Sequence, residues 1–391
     1  MFSSRLDWAL RPNPIAELLA EKRRRGEPVL DLTESNPTRA GIEYPAAEIA
    51  QALADQRSVA YEPEPFGMPE AREAVARYYA ESGVAVDASR IVLTASTSEA
   101  YAYLFKLLAN PGDEILTPRP SYPLFEYLAR LESVRVVQYP LFYDHGWHLD
   151  GAALRGLVTP RTRAIVTVHP NNPTGSFLKM HELEEMVAVA VEHNLGIISD
   201  EVFSDYWFSG DSDRVSVVAR DSGALAFSLS GLSKIVGLPQ MKLGWMVVGG
   251  PGALRPAAME RLELIADTYL SVGTPAQAAV GALLGARHVV QPRIRARVAG
   301  NVQVLRSALA AAPDIRMLQV EGGWYATLQV PRVRSEEEWA LGLLRDRNVL
   351  VQPGFFYDFG SEAFLVISLL TRPDVFSEGV ERVLRVIAGW P

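Results

Sequence analysis

Seven short apolar runs constrain this chain more than any other feature of its sequence. They lie near residues 91–94, 114–117, 134–137, 164–168, 196–199, 225–229 and 244–248, are rich in Val and Ile, and are mostly unbroken by polar residues. An unbroken apolar run suits a strand buried on both faces, and such strands occur almost only in parallel sheets covered by helices. Between the runs lie amphipathic stretches, 70–81, 98–109, 122–131 and 181–193, that predict those helices. The expected core is therefore an α/β domain: a mostly parallel seven-stranded sheet between helices. After residue 275 the pattern changes. Helices are expected at 276–287, 292–311, 336–347 and 375–388, and strands at 325–330, 349–352 and 365–369. The predicted organisation is an N-terminal arm (1–40) that joins a small α+β domain (276–391), with the large domain at 41–275.

The composition supports a large core and excludes several functions. Of 391 residues, 48% are hydrophobic and 21% charged, which is neither a disordered chain nor a coiled coil. Lys plus Arg total 38 against 46 Asp plus Glu, a formal charge of -8, so nothing draws the chain to nucleic acid. The basic run 22–25 is flanked by Glu21 and Glu27 and is read as the solvated end of a helix. The absence of cysteine excludes disulfides, thiolate metal sites and cysteine nucleophiles. His145 and His148 have no third partner for zinc. Asp7, Arg11 and Glu17 interrupt any apolar leader, and no run reaches the ~20 apolar residues of a membrane span. A cytoplasmic protein is expected.

Four short motifs follow the predicted strands in order. Ser96-Thr97-Ser98-Glu99 opens a helix; its hydroxyls and free N–H groups make an anion site, or else a simple N-cap. His169-Pro170-Asn171-Asn172-Pro173-Thr174-Gly175 is a tight loop at the carboxyl end of a buried strand, where open α/β sheets place ligands. Ser199-Asp200-Glu201 ends another, and Asp200 either faces the same crevice or caps a helix. Ser230-Gly231-Leu232-Ser233-Lys234 follows a third. A lysine so placed becomes a nucleophile toward carbonyls if burial lowers its pKa. Lys242, eight residues on, is a candidate fixed cation.

The ordered set Asn172-Pro173-Thr174-Gly175, Asp200 and Ser233-Lys234 resembles the fold-type I pyridoxal-phosphate (PLP) enzymes, class I/II aminotransferases in particular. Each motif alone is weak, but in this order and at these separations the set is specific. The segments Tyr61–Gly67, Pro111–Glu114 and Pro120–Pro123 extend the resemblance over nearly the whole chain. It implies an aspartate aminotransferase-like fold and a homodimer. It also implies that Lys234 carries the cofactor aldehyde as a Schiff base and shuttles protons, with Asp200 paired to the pyridine nitrogen. Asn172 would donate to the ring's phenolic oxygen, and Tyr122 would stack on the ring. Ser96, Thr97, Ser98, Ser230 and Lys242 would surround the phosphate, with Tyr61 reaching it from the partner subunit. Asn36, Trp324, Phe355 and Arg372 are the substrate-side candidates.

The chain departs from the family pattern at several positions. Phe203 stands where a tyrosine usually gives the phenolic oxygen a second hydrogen bond, so the Schiff base should titrate at higher pH. Lys242 replaces an arginine and cannot form a bidentate fork. Gly231 replaces a serine, for which Ser230 or Ser228 could compensate. Val366 falls where an arginine usually binds the substrate carboxylate; Arg372 is the first substitute, followed by Arg39 and Arg119. A transaminase reading leads, and a lyase or decarboxylase on the same fold is the alternative. A regulatory module lacks its DNA-binding extension. A nicotinamide dehydrogenase lacks the Gly-x-Gly-x-x-Gly after its first strand.

Overall fold

The computed structural model describes residues 1–8, 12–208, 215, 217–219, 223–361 and 363–387. Its strands are β1 (Leu30–Asp31), β2 (Ile91–Thr94), β3 (Glu114–Arg119), β4 (Arg135–Tyr143), β5 (Trp147–Leu149), β6 (Thr162–Val168), β7 (Gly196–Asp200), β8 (Ala226–Gly231) and β9 (Gly244–Gly249). They continue with β10 (Arg316–Met317), β11 (Tyr325–Gln329), β12 (Val349–Leu350), β13 (Gln352–Pro353) and β14 (Phe364–Ser368). The large sheet has the order β2-β9-β8-β7-β6-β3-β4-β5 and is mostly parallel, with β9 and β5 reversed. It has eight strands rather than the seven expected. The extra one, β5, is only three residues long and pairs at the edge with the end of β4, too short to carry a periodic signal. The central strands β6, β7 and β8 are buried along almost their whole length, as unbroken apolar runs require.

The C-terminal residues form a second, antiparallel sheet, β10-β11-β14-β13. The expected strand at 349–352 is split. Its first half, β12, pairs in parallel with β1 from the N-terminal region, and its second half, β13, pairs with β14. The helix expected at 292–311 begins at Arg287 and carries Pro292 inside it. The helix Pro373–Ile387 matches the expected last helix; residue 388 lies outside the described residues. In the basic run, Arg23, Arg24 and Arg25 are exposed as expected, and Lys22 alone departs. Lys22 is buried, with Nζ 2.8 Å from Glu27 Oε2 and 2.6 Å from Asn348 Oδ1, so it ties the first helix to the C-terminal elements.

Among the described residues, no helix is long and apolar enough to cross a membrane.

Candidate active site

Register brings the four motifs to one edge of the large sheet. Val168 at the end of β6 lies beside Asp200, and Asp200 lies beside Leu229 of β8. Thr94 and Gly231 are both level with Gly244, the first residue of the reversed strand β9. The ends of β2, β6, β7 and β8 and the start of β9 thus form one rim. In an α/β sheet that rim is where ligands bind. The glycines there are steric requirements. A Cβ on Gly231 would lie 2.9 Å from Gly244 Cα, and one on Gly244 would lie 3.0 Å from Ser230 O. The absence of serine at 231 follows from this close approach of β8 and β9.

Lys234 begins three residues past that contact, in the short helix Leu232–Ile235. The Tyr206 hydroxyl donates to its carbonyl at 2.7 Å and fixes the backbone. Its Nζ lies 5.2 Å from the Phe203 ring centre and 5.0 Å from that of Trp324. Burial lowers its pKa to about 8, against the opposing pull of the Asp200 charge. Asp200 is pushed the other way: burial raises it to about 6, opposed by the Val202 N–H, the Tyr101 hydroxyl and Lys234. The Val202 N–H donates to Oδ1 at 3.2 Å and Tyr101 Oη to Oδ2 at 3.3 Å. Lys234 and Asp200 act on each other's charge, yet no ion pair closes between them among the described residues. Glu201 is also buried, with Oε1 accepting from Ser228 Oγ at 2.6 Å and from the Val218 N–H at 3.0 Å.

The two asparagines of the 169–175 loop divide their work. Asn171 builds the loop: its Nδ2 donates to Pro120 O and Thr174 Oγ1, both at 2.9 Å, and its Oδ1 accepts from Ser121 Oγ at 3.0 Å. Buried Asn172 is left with an Oδ1 that has no partner. Buried amides are normally satisfied, so such an atom marks a place for a ligand. Gly175 sits at φ +70°, a Cβ there would strike Val320 and Gly322 O, and its own carbonyl accepts from the Glu321 and Gly322 N–H groups. His169 is locked underneath, accepting the Leu178 N–H at Nδ1 (3.0 Å), which leaves Nε2–H to donate to Val215 O (2.8 Å).

The remaining candidates distribute as follows. Ser96 caps the helix Thr97–Leu108, accepting the Glu99 N–H at 3.2 Å, so its hydroxyl is committed to the helix. The N–H groups of Thr97 and Ser98 occupy the first two helical positions, where no intrahelical acceptor exists. Ser230 is buried with an unpartnered Oγ. Lys242 is exposed, at φ +49° just before β9 on the same rim. Tyr122 is 46% exposed; burial of its hydroxyl and the Asp200 charge both raise its pKa, which sets it beside the acid. A cleft of about 570 Å³ adjoins Tyr122 but includes neither Lys234 nor Asp200. Chemistry, not size, therefore marks the site. Tyr61 is 78% exposed and lines a different cleft with Leu270 and Tyr103.

On the substrate side, Trp324 is fully buried and meets Phe203 and Tyr206 edge to face at 5.1 and 5.0 Å. Phe355 is exposed against Phe356. The Asn36 carboxamide is spent on its own turn, accepting from Thr38 N and Oγ1. Val366 is fully buried, between Thr327 and Gln352 in the sheet. Arg372, its expected substitute, is more than half exposed and paired with Asp374 at 2.7 Å; Arg39 and Arg119 are exposed too. The sequence reading missed Tyr101 and Tyr206. Burial pushes Tyr325 up to about 12, opposed by hydrogen bonding to Ser35 and Asn172. A tyrosine on the buried face of a helix was the available signal for Tyr101; Tyr206 lies outside the helices and strands, where no periodic pattern marks it.

Comparison with known proteins agrees with this geometry. The family model "Aminotransferase class I and II" matches residues 27–383. The glutamate-pyruvate aminotransferase AlaA of Escherichia coli (strain K12) is 26% identical over 386 residues, covering 96% of this chain and 95% of its own. The alanine aminotransferase of Mycobacterium bovis is 26% identical over 381 residues, covering 95% and 88%. A crystal structure of an E. coli aminotransferase superposes with a TM-score of 0.85 at 26% identity, covering 100% of this chain and 98% of that one. A Thermus thermophilus aspartate aminotransferase superposes with a TM-score of 0.86 at 25% identity, covering 99% of each. These proteins are all aminotransferases, which favours group transfer over the lyase alternative. Matched along nearly its whole length, with lysine, acid and asparagine gathered at one sheet edge, this chain belongs to the class I and II aminotransferases.

Proposed function

We propose that this aminotransferase uses PLP, held at Lys234, to pass an amino group from an amino donor to a 2-oxo acid, and that it works as a homodimer. The observation that carries the reading is the pairing of a half-buried lysine with a half-buried carboxylate at adjacent strand ends. Both pKa values are displaced toward neutrality, and the two groups do not neutralise each other directly. The residues present fit the cofactor. An unpartnered amide oxygen on buried Asn172 and an unpartnered hydroxyl on Ser230 are polar atoms that a ligand would complete.

When bound, PLP supplies an aldehyde that captures amines and a protonated ring that takes up the electrons released at the substrate carbon. The chain's own groups divide the remaining work. Lys234 Nζ, partly neutral near pH 8, takes a proton from a carbon and returns it. The Asp200 carboxylate holds a protonated ring nitrogen. Asn172 orients the ring by donating from Nδ2 to the ring's phenolic oxygen, and Tyr122 covers a face. Ser98 and the Thr97 and Ser98 N–H groups receive the phosphate, with Lys242 as counter-charge. Phe203 and Trp324 keep water from Nζ. Tyr61, exposed in the protomer beside Leu270, is assigned to the partner's site, and these exposed apolar side chains support the dimer.

A donor–acceptor screen on the loaded protein tests the function. Transfer from amino acids to pyruvate or 2-oxoglutarate is expected; release of ammonia or carbon dioxide without transfer would sink the transaminase reading. A second test concerns Phe203, whose ring lies 5.2 Å from Lys234 Nζ. Phe203→Tyr restores a phenol near the cofactor oxygen. It is expected to lower, by about one pH unit, the midpoint at which the visible absorbance of the loaded enzyme changes. An unchanged midpoint would show that the added hydroxyl does not reach that oxygen.

A further inference from the structure

Beyond the residues assigned to PLP itself, one buried polar contact at the site has no structural necessity. Tyr101 lies on the helix Thr97–Leu108, buried between Phe105 and Phe125 with ring centres 5.9 and 5.4 Å away. Packing of that kind asks only for a phenyl ring. The hydroxyl is nevertheless directed at Asp200, donating to Oδ2 at 3.3 Å, while the Val202 N–H donates to Oδ1. The two carboxylate oxygens thus have different anchors, one on β7's own continuation and one on a different element. We propose that Tyr101 is a positioning residue that fixes the orientation and the anionic state of Asp200 for its contact with the cofactor ring.

The proposal rests on the PLP reading above. Its structural logic lies in the helix. The N-terminal turn presents the N–H groups of Thr97 and Ser98, and Tyr101 comes one turn later, about 6 Å along the axis. One rigid element therefore supports both the anion-binding end of the site and the acid at its other end. The titratable groups acting on Asp200 are Tyr101, Lys234, Glu201 and Tyr122. Of these, Tyr101 donates a hydrogen bond to its carboxylate, and burial and the Asp200 charge keep that phenol protonated. The contact is long for an O–H···O bond, so its effect is sized below that of a short charged hydrogen bond.

Tyr101→Phe keeps the ring and removes the donor. In the full-length protein, the dissociation constant for PLP, from absorbance titration of the apoprotein, is expected to rise about three- to tenfold. The acidic limb of the kcat profile should move up by about half to one pH unit. Melting of the apoprotein should stay near wild type. The same substitution in an Asp200→Asn background should change the PLP dissociation constant little, because the anion it serves is gone. An unchanged PLP affinity and acid limb overturn the proposal, as does an equal loss of affinity in both backgrounds, which would mark Tyr101 as packing only. Wild-type protein that takes up no PLP overturns the functional reading itself, a result separable from any effect at Tyr101.

Discussion

Lys234→Ala is expected to lower transamination by about a thousandfold or more and to abolish the covalent mark left by borohydride reduction of the loaded protein. The size of the effect follows from the double duty of Nζ as attachment point and proton carrier. Three forces act on that amine. Burial disfavours its cation, and the charge of Asp200 favours it. The faces of Phe203 and Trp324, 5.2 and 5.0 Å away, favour it as well, by about 1 kcal/mol each at most sites of this kind. Burial prevails, because the pKa falls from 10.5 to about 8. A drop of that size is roughly 3 kcal/mol against the charged form. The rate of covalent cofactor uptake by the wild-type apoprotein should therefore rise with pH through about 8, as the neutral amine becomes the major species, and level off above it. A wild-type-like reduced adduct in Lys234→Ala would remove the assignment.

Asp200→Asn is the second large effect. The side chain keeps its shape and loses its charge, so a protonated ring nitrogen loses its counter-ion. A fall of about 10²–10³ in kcat is expected, the usual cost of removing one preorganised electrostatic group. The pH dependence has a definite sign. Burial raises Asp200 from 3.8 to about 6, so its anion predominates only above that value. Wild-type activity should decline below about pH 6, and the variant should lack that limb. Stability should move oppositely. An acid whose folded pKa is raised stabilises the fold at low pH, and that contribution is lost as pH rises from 3.8 through about 6. At pH 7–8 the apoprotein of Asp200→Asn should then be more stable than wild type, by up to roughly 3 kcal/mol, with the difference closing near pH 4. Equal activity of the two proteins would sink the role of the acid.

The large sheet was legible because its strands are buried on both faces, and burial writes itself into sequence as unbroken Val and Ile. The motifs at its rim were legible because turns and catalytic groups use few residue types. What escaped was decided by long-range geometry. Strand β5 exists because β4 offers it an edge, and three residues carry no period. Lys22 reads as one of four basic residues on a helix end, and only Glu27 and Asn348 single it out for burial. Tyr101 is one aromatic residue among several on an amphipathic helix until the fold sets it against Asp200. Arg372 looked like a carboxylate ligand from its distance along the chain after β14, but the turn before the last helix directs it to Asp374 instead.

The docking of Gly175 has a mechanical consequence. Its carbonyl is gripped by two N–H groups from the 320–322 segment, and there is no room at its α-carbon for even one more atom. Three residues earlier on the same tight turn stands Asn172, and two residues beyond the gripping segment stands Trp324. The turn and the 320–322 segment therefore share one fixed contact, with the two side chains set on either side of it. A side chain added at position 175 would wedge the two strands of chain apart and widen the gap between Asn172 and Trp324.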